Sequence, residues 1–174
     1  DGSPEPVATG ARDIQSFTVA RDGAIAFASS TLTAPTEVFV LDGDGERQLS
    51  RMNASYLAER ELAEVEEVRF ESDPGVEVHG WLLKPPAFNP AAKYPAIIQV
   101  HGGPHGMYGT GFFHEMQLLA ARGYVVLMTN PRGSTGYGQE WVAGTLGDWG
   151  GKDYRDVIAG ADYLAAQSYV DPRR

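Results

Sequence analysis

The residues with the most chemical potential lie together in one short loop. His101-Gly102-Gly103-Pro104-His105 falls inside QVHGGPHGMYGTGF, residues 99–112, which places five glycines and a proline between an apolar run and a helix-like one. Glycine lets a main chain approach a reacting group closely and turn its N–H donors outward, so the chemistry on offer is anion binding by backbone amides. Three uses compete for it. A phosphate cradle calls for G-x-x-x-x-G-K-[ST] or G-x-G-x-x-G, and neither stands here, although Gly106 and Gly109 are close by. A metal site built on His101, His105 and His114 fails on spacing, because Gly-Gly-Pro keeps the first two off a common helix face and no acidic ligand has motif spacing. The third use is an oxyanion hole, amides aimed where a carbonyl oxygen gathers charge; loss of one such donor costs a factor of about 10² to 10³ in rate.

Such a loop needs rigid elements on both sides. Before it, AIIQV is a continuous apolar run of strand length, expected to be buried on both faces as in a parallel sheet. After it, Phe113, Met116, Leu119 and Ala120 recur at helical spacing until Gly123. YVVLMT reads as another buried strand, and DYRDVIAGADYLAAQS as a helix with Tyr154, Val157, Ile158, Ala161 and Leu164 on one face. Upstream, EEVRFES, the turn Asp73-Pro74-Gly75 and VEVHGWLLKPP predict a β-hairpin. Hairpin, strand, helix, strand, helix spells an α/β sheet covered by helices, and Tyr169 to Pro172 would lead into a further strand. The loop then joins the carboxyl end of a strand to a helix N-terminus, where open α/β sheets bind ligands.

Residues 13–49 have a different grammar. IQSFTVA, AIAFAS, TEVFVL and RQL are short β runs separated by Asp-Gly turns, a meander of antiparallel strands. One unit of that size cannot cover its own faces and edges, so sister units are expected outside this chain. NASYLAERELAEVEEV follows as a connector in which Asn53 or Ser55 can cap a short helix and the glutamates form a solvated face. The expected division is residues 1–52, a helical connector at 53–64, and residues 65–174.

Composition narrows the partners. The chain has 174 residues, 43% hydrophobic and 21% charged, enough for an ordinary globular core. A net charge of −9 argues against nucleic acid and anionic membranes, which reward clustered Lys and Arg. With no cysteine there is no disulfide framework, thiolate metal site or cysteine nucleophile, which suits a reducing, cytoplasmic setting. No apolar stretch approaches the roughly 18 residues of a spanning helix, and DGSPEPVATG lacks the features of a signal peptide.

HGGP at 101–104, NPRGSTGYGQEW at 130–141, GDWGGKDYRDV at 147–157 and YVDP at 169–172, in that order and spacing, resemble the prolyl oligopeptidase family of serine peptidases, most of all its acylaminoacyl-peptidase branch. The resemblance runs over essentially the whole chain. It implies an α/β fold: the N-terminal half of an α/β-hydrolase sheet, preceded by antiparallel strands of a closing β-propeller blade. It also implies cleavage of short peptides by acyl transfer, with no metal or organic cofactor. Carried over residue by residue, it puts the Gly103 N–H in the oxyanion hole. His101 stands where some relatives carry a tyrosine whose hydroxyl completes that hole, and a structural role for its ring is the expectation. Gly102 gives room for backbone packing, and Pro104 fixes the bend without offering an N–H.

The remaining motif residues read as structural. Arg132 is expected to pair with an acidic loop residue such as Asp148 rather than meet a substrate carboxylate. Trp141 and Trp149 are expected to pack the long loop against the sheet, with lining of a substrate cavity as the alternative, and Asp156 and Asp162 to be solvent-side or capping charges. No serine stands in a G-x-S-x-G context; Ser134 in RGSTG has arginine two positions before it. The triad's acid and histidine follow the serine in chain order, so the chain reads as a contiguous piece of a longer enzyme, inactive by itself, whose partners are the rest of its own polypeptide, a short peptide and, through open sheet edges, possible copies of itself. A carboxylesterase, whose loop usually shows HGGG, and a catalytically dead binding or scaffold homologue are the alternatives.

Overall fold

A computed structural model describes residues 2–174 and divides them into two units: residues 2–61 with 109–113, and residues 62–108 with 114–174. In the first unit, β1 (Asp13–Val19), β2 (Ile25–Thr31), β3 (Ala34–Asp42) and β4 (Gly45–Gln48) form an antiparallel meander in the order β1-β2-β3-β4. Asp22 and Asp42 turn their carboxylates onto the N–H groups of Ala24 and Asp44, which closes two of the three turns. Phe27 and Phe39 face each other across β2 and β3 and stack with ring centroids 5.6 Å apart. Phe17, opposite Phe27 in β1, stays 72% exposed.

The connector is tied back by one buried carboxylate. Glu37 accepts hydrogen bonds from the Ser50 hydroxyl, the Met52 and Asn53 N–H groups and the Asn53 side chain. Those donors, Ser50 foremost, hold its pKa down at about 2. Asn53 is spent on this anchor and makes no side-chain cap for the short helix α1 (Ala54–Ala58).

The second unit carries a sheet in the order β5-β6-β8-β7. β5 (Val65–Glu71) and β6 (Glu77–Leu83) make the expected hairpin; β6 pairs antiparallel with β8 (Val125–Asn130), and β8 pairs parallel with β7 (Ala96–Val100). Every residue of β8 is buried, and Val78, Leu82, Val125, Leu127 and Leu164 centre the core. β7 departs from the expectation: it is half-buried along most of its length, because it stands at the sheet's edge. Val170 makes an isolated parallel bridge to Tyr94, just before β7.

The helix α2 (His114–Ala121) buries Met116 and Ala120 as expected, and also Gln117, whose amide exchanges hydrogen bonds with the backbone of Ala63. It ends before Gly123, whose φ of +90° reverses the chain. A long loop, the short helix α3 (Gln139–Val142) and a 3₁₀ turn (Ala143–Thr145) lead to α4 (Lys152–Ala165). The face of α4 is a correction. Asp156, Gly160 and Leu164 point inward, whereas Tyr154 and Ile158 are 60% and 40% exposed, a rotation of roughly a third of a turn from the apolar pattern. Two features impose it: a buried ion pair at Asp156, and the bare Cα of Gly160, which lets the helix approach Ile98, Phe70 and Thr129. Among the described residues, no helix is long and apolar enough to cross a membrane.

Candidate functional site

The glycine loop leaves the carboxyl end of β7 and borders a cavity of about 330 Å³. Gly102 and Gly103 form one wall; Trp149, Tyr154 and Val157, from the start of α4 and the turn before it, form another. Gly103 has a φ of +140°, and a Cβ there would stand 2.6 Å from the His105 nitrogen, so only glycine fits. Among the described residues, no hydrogen bond engages the Gly103 N–H. The Gly103–Pro104 peptide is cis.

The sequence of the second loop, NPRGSTGYG, shapes the first. The His101 ring donates from Nδ1 to the Gly102 carbonyl at 3.0 Å, and its Nε2 lies 2.8 Å from the Ser134 hydroxyl, which also reaches the Pro131 carbonyl. His105 Nδ1 donates to the Gly133 carbonyl, and the Thr135 N–H donates to the Gly106 carbonyl. Tyr108 closes the loop: Asn130 accepts its N–H and donates to its carbonyl, each at 2.8 Å, while Trp81 Nε1 also donates to that carbonyl. His101, Gly102, Gly103 and Pro104 are therefore gathered on one wall of the cavity, and His101 is held within the loop's own fabric.

Three expectations are corrected. Arg132 does form an ion pair, but with Asp156 and Asp73 rather than Asp148. Its backbone N–H and Nε share Asp156 Oδ2, and Nη2 reaches Asp156 Oδ1. Asp156 is consequently no solvent-side charge; it is fully buried and also receives the Ser72 hydroxyl. Asp148 instead accepts the Lys152 N–H at the start of α4. Trp149, expected to pack the loop, is 73% exposed at the cavity, whereas Trp141 packs against the core and donates to the Pro131 carbonyl. Arg155, then Arg132, lower the pKa of Asp73. The three loop-proximal histidines do not converge, and among the described residues no group of three His, Asp or Glu side chains could hold a metal.

Sequence reasoning missed Asn130, Ser134 and Tyr137 as organisers of the loop. They lie inside NPRGSTGYGQEW, yet a side chain's partner across a fold has no periodic signature. His79 was also missed, on a hairpin strand with no motif at all; its Nδ1 is hydrogen-bonded to the Tyr137 hydroxyl, and burial keeps its pKa low despite Glu67 3.1 Å from Nε2.

Residues 110–174 match the sequence profile of the prolyl oligopeptidase family. The whole chain is 40% identical to part of the uncharacterized peptidase YuxL of Bacillus subtilis (strain 168), of which it covers 27%. A dipeptidyl-peptidase 5 of Schizosaccharomyces pombe is 34% identical over 71% of this chain and is covered to 19%. The acylaminoacyl peptidase of Pyrococcus horikoshii superposes with a TM-score of 0.88 at 35% identity, over 98% of this chain and 27% of that one. The chain thus spans about a quarter of the length of these relatives. With a bare loop at a parallel strand's carboxyl end, these likenesses agree on one lineage: residues 110–174 carry the profile of the prolyl oligopeptidase family, and the chain along its whole length is similar to part of its peptidases.

Proposed function

We propose that this segment supplies the oxyanion-stabilising loop of a serine peptidase that hydrolyses short peptides by acyl transfer, of the acylaminoacyl-peptidase or oligopeptidase type. The four-stranded unit is read as a blade of a β-propeller, and the mixed sheet as the first part of an α/β-hydrolase domain. One observation supports the reading: Gly103, whose N–H is unpaired among the described residues, lines a cavity at the sheet's carboxyl edge. A serine in the rest of the polypeptide attacks the peptide carbonyl, and a histidine takes its proton and passes it to the leaving amine. The tetrahedral oxygen, negative in between, rests against the Gly103 amide and one further donor. Water then hydrolyses the acyl-enzyme by the reverse proton transfers. His101, Gly102 and Pro104 support the loop, and no cofactor takes part.

The test is a fluorophosphonate serine probe applied to the full-length protein. Covalent labelling of one serine is expected, with Gly103→Ala, whose Cβ would clash with the His105 nitrogen and displace the amide, slowing it by about 10²-fold. A folded full-length protein that does not label would instead be a binding homologue, and the 174 residues alone are expected to remain unlabelled.

A further inference from the structure

The glycine loop is stapled at both ends to consecutive residues of one strand. At its start, Val100 pairs with Thr129 in the parallel ladder. At its end, the Asn130 side chain takes the place of a ladder partner, satisfying both the N–H and the carbonyl of Tyr108. Asn130 is fully buried, so water offers these groups no substitute.

An amide side chain can do this in only one of its two orientations, and the neighbours select it. The second proton on Asn130 Nδ2 goes to the Tyr137 hydroxyl oxygen at 2.7 Å. That oxygen can accept when the phenolic proton points to His79 Nδ1, with which it is hydrogen-bonded. Burial pushes the Tyr137 pKa up and the His79 pKa down, which keeps the phenol protonated and the imidazole neutral, and Glu67 3.1 Å from Nε2 draws the ring proton there, leaving Nδ1 to accept. Flipping Asn130 would set its oxygen against two acceptors, the Tyr108 carbonyl and the Tyr137 hydroxyl, and its NH₂ against the Tyr108 N–H.

We propose that Asn130 is a positioning residue for the Gly103 amide, oriented by Tyr137 and His79, so that the loop is held in its donor-presenting shape before substrate arrives. The inference rests on the reading of Gly103 as an oxyanion donor. A misplacement of about 1 Å at a catalytic group is enough to cost roughly 10²-fold in rate. Asn130→Ala removes both of its hydrogen bonds to Tyr108, whereas Asn130→Asp keeps only the acceptor half of the clamp.

The experiment is steady-state kinetics of the full-length protein on the p-nitroanilide of a short N-acylated peptide, with the fluorophosphonate labelling rate measured in parallel. For Asn130→Ala and Asn130→Asp, kcat is expected to fall by about 10-fold to 100-fold with KM within about 3-fold. Tyr137→Phe, which leaves Asn130 in place but removes its orienting partner, is expected to lose several-fold in kcat with an unchanged melting temperature, and it decides the matter where the Asn130 variants do not fold. Unchanged kcat in a folded variant, or a fall confined to KM, overturns the inference while wild-type labelling leaves the serine-peptidase reading intact. Absence of labelling in the folded wild type overturns that reading, and this inference with it.

Discussion

Arg132 and Asp156 form an ion pair with almost no access to solvent, Asp156 being fully buried and the Arg132 side chain 11% exposed. Breaking one partner of such a pair strands the other charge, whose desolvation is then uncompensated. Asp156→Ala is therefore expected to destabilise the fold by about 3 kcal/mol, read by denaturant titration, while Asp162→Ala on the exposed side of the same helix stays within about 0.5 kcal/mol. A second carboxylate predicts a pH effect. The pKa of Glu37 is about 2 in the folded chain against an ordinary value of 4.5, so the folded state binds fewer protons than the unfolded one. Its contribution is complete above pH 4.5 and drains away as the pH falls toward 2. Glu37→Gln should flatten the acid limb of the stability curve across that window; a variant with the wild-type slope would show that the Ser50, Met52 and Asn53 donors do not matter to stability.

At the scale of elements, α4 shows how a sequence pattern can be overridden. Its apolar residues read cleanly as one stripe, and the helix was legible, as were all eight strands and the hairpin at Asp73-Pro74-Gly75. Its orientation was not, because a buried charge pair and a glycine contact outweigh the burial of Tyr154 and Ile158. Gly160→Ala separates the two contributions. A Cβ there would lie 2.8 Å from the Ile98 Cδ1 and 3.1 Å from the Phe70 ring, which is itself stacked on Tyr163. Helix propensity favours alanine by about 1 kcal/mol, but overpacking costs about 1 to 3 kcal/mol, so a net loss of stability is expected in thermal melts. The glycine loop itself was legible from composition alone. Its clamps were not, since Asn130, Ser134 and His79 act on segments that no spacing rule connects to them.

At the scale of the whole molecule, each unit leaves apolar side chains in water. Phe17 and Val19 in the meander are 72% and 57% exposed, and Leu146 and Trp149 in the other unit are 72% and 73% exposed. Exposed apolar side chains on a strand are an association hazard, so the isolated 174-residue polypeptide should self-associate with rising concentration in sedimentation velocity. Replacing Phe17 and Val19 together by serine should reduce that association without shifting the melting temperature by more than a few degrees. A polypeptide that stays monomeric at high concentration would count against the exposure described for β1.

The staple between Tyr108 and Asn130 has one more consequence, for dynamics. An amide in a glycine-rich turn ordinarily trades its proton with solvent within moments, but the Tyr108 N–H hangs from the last residue of a wholly buried strand. Its deuterium uptake should keep pace with Leu127 and Met128 rather than with its own neighbours, because the turn cannot breathe there unless the centre of the sheet opens too.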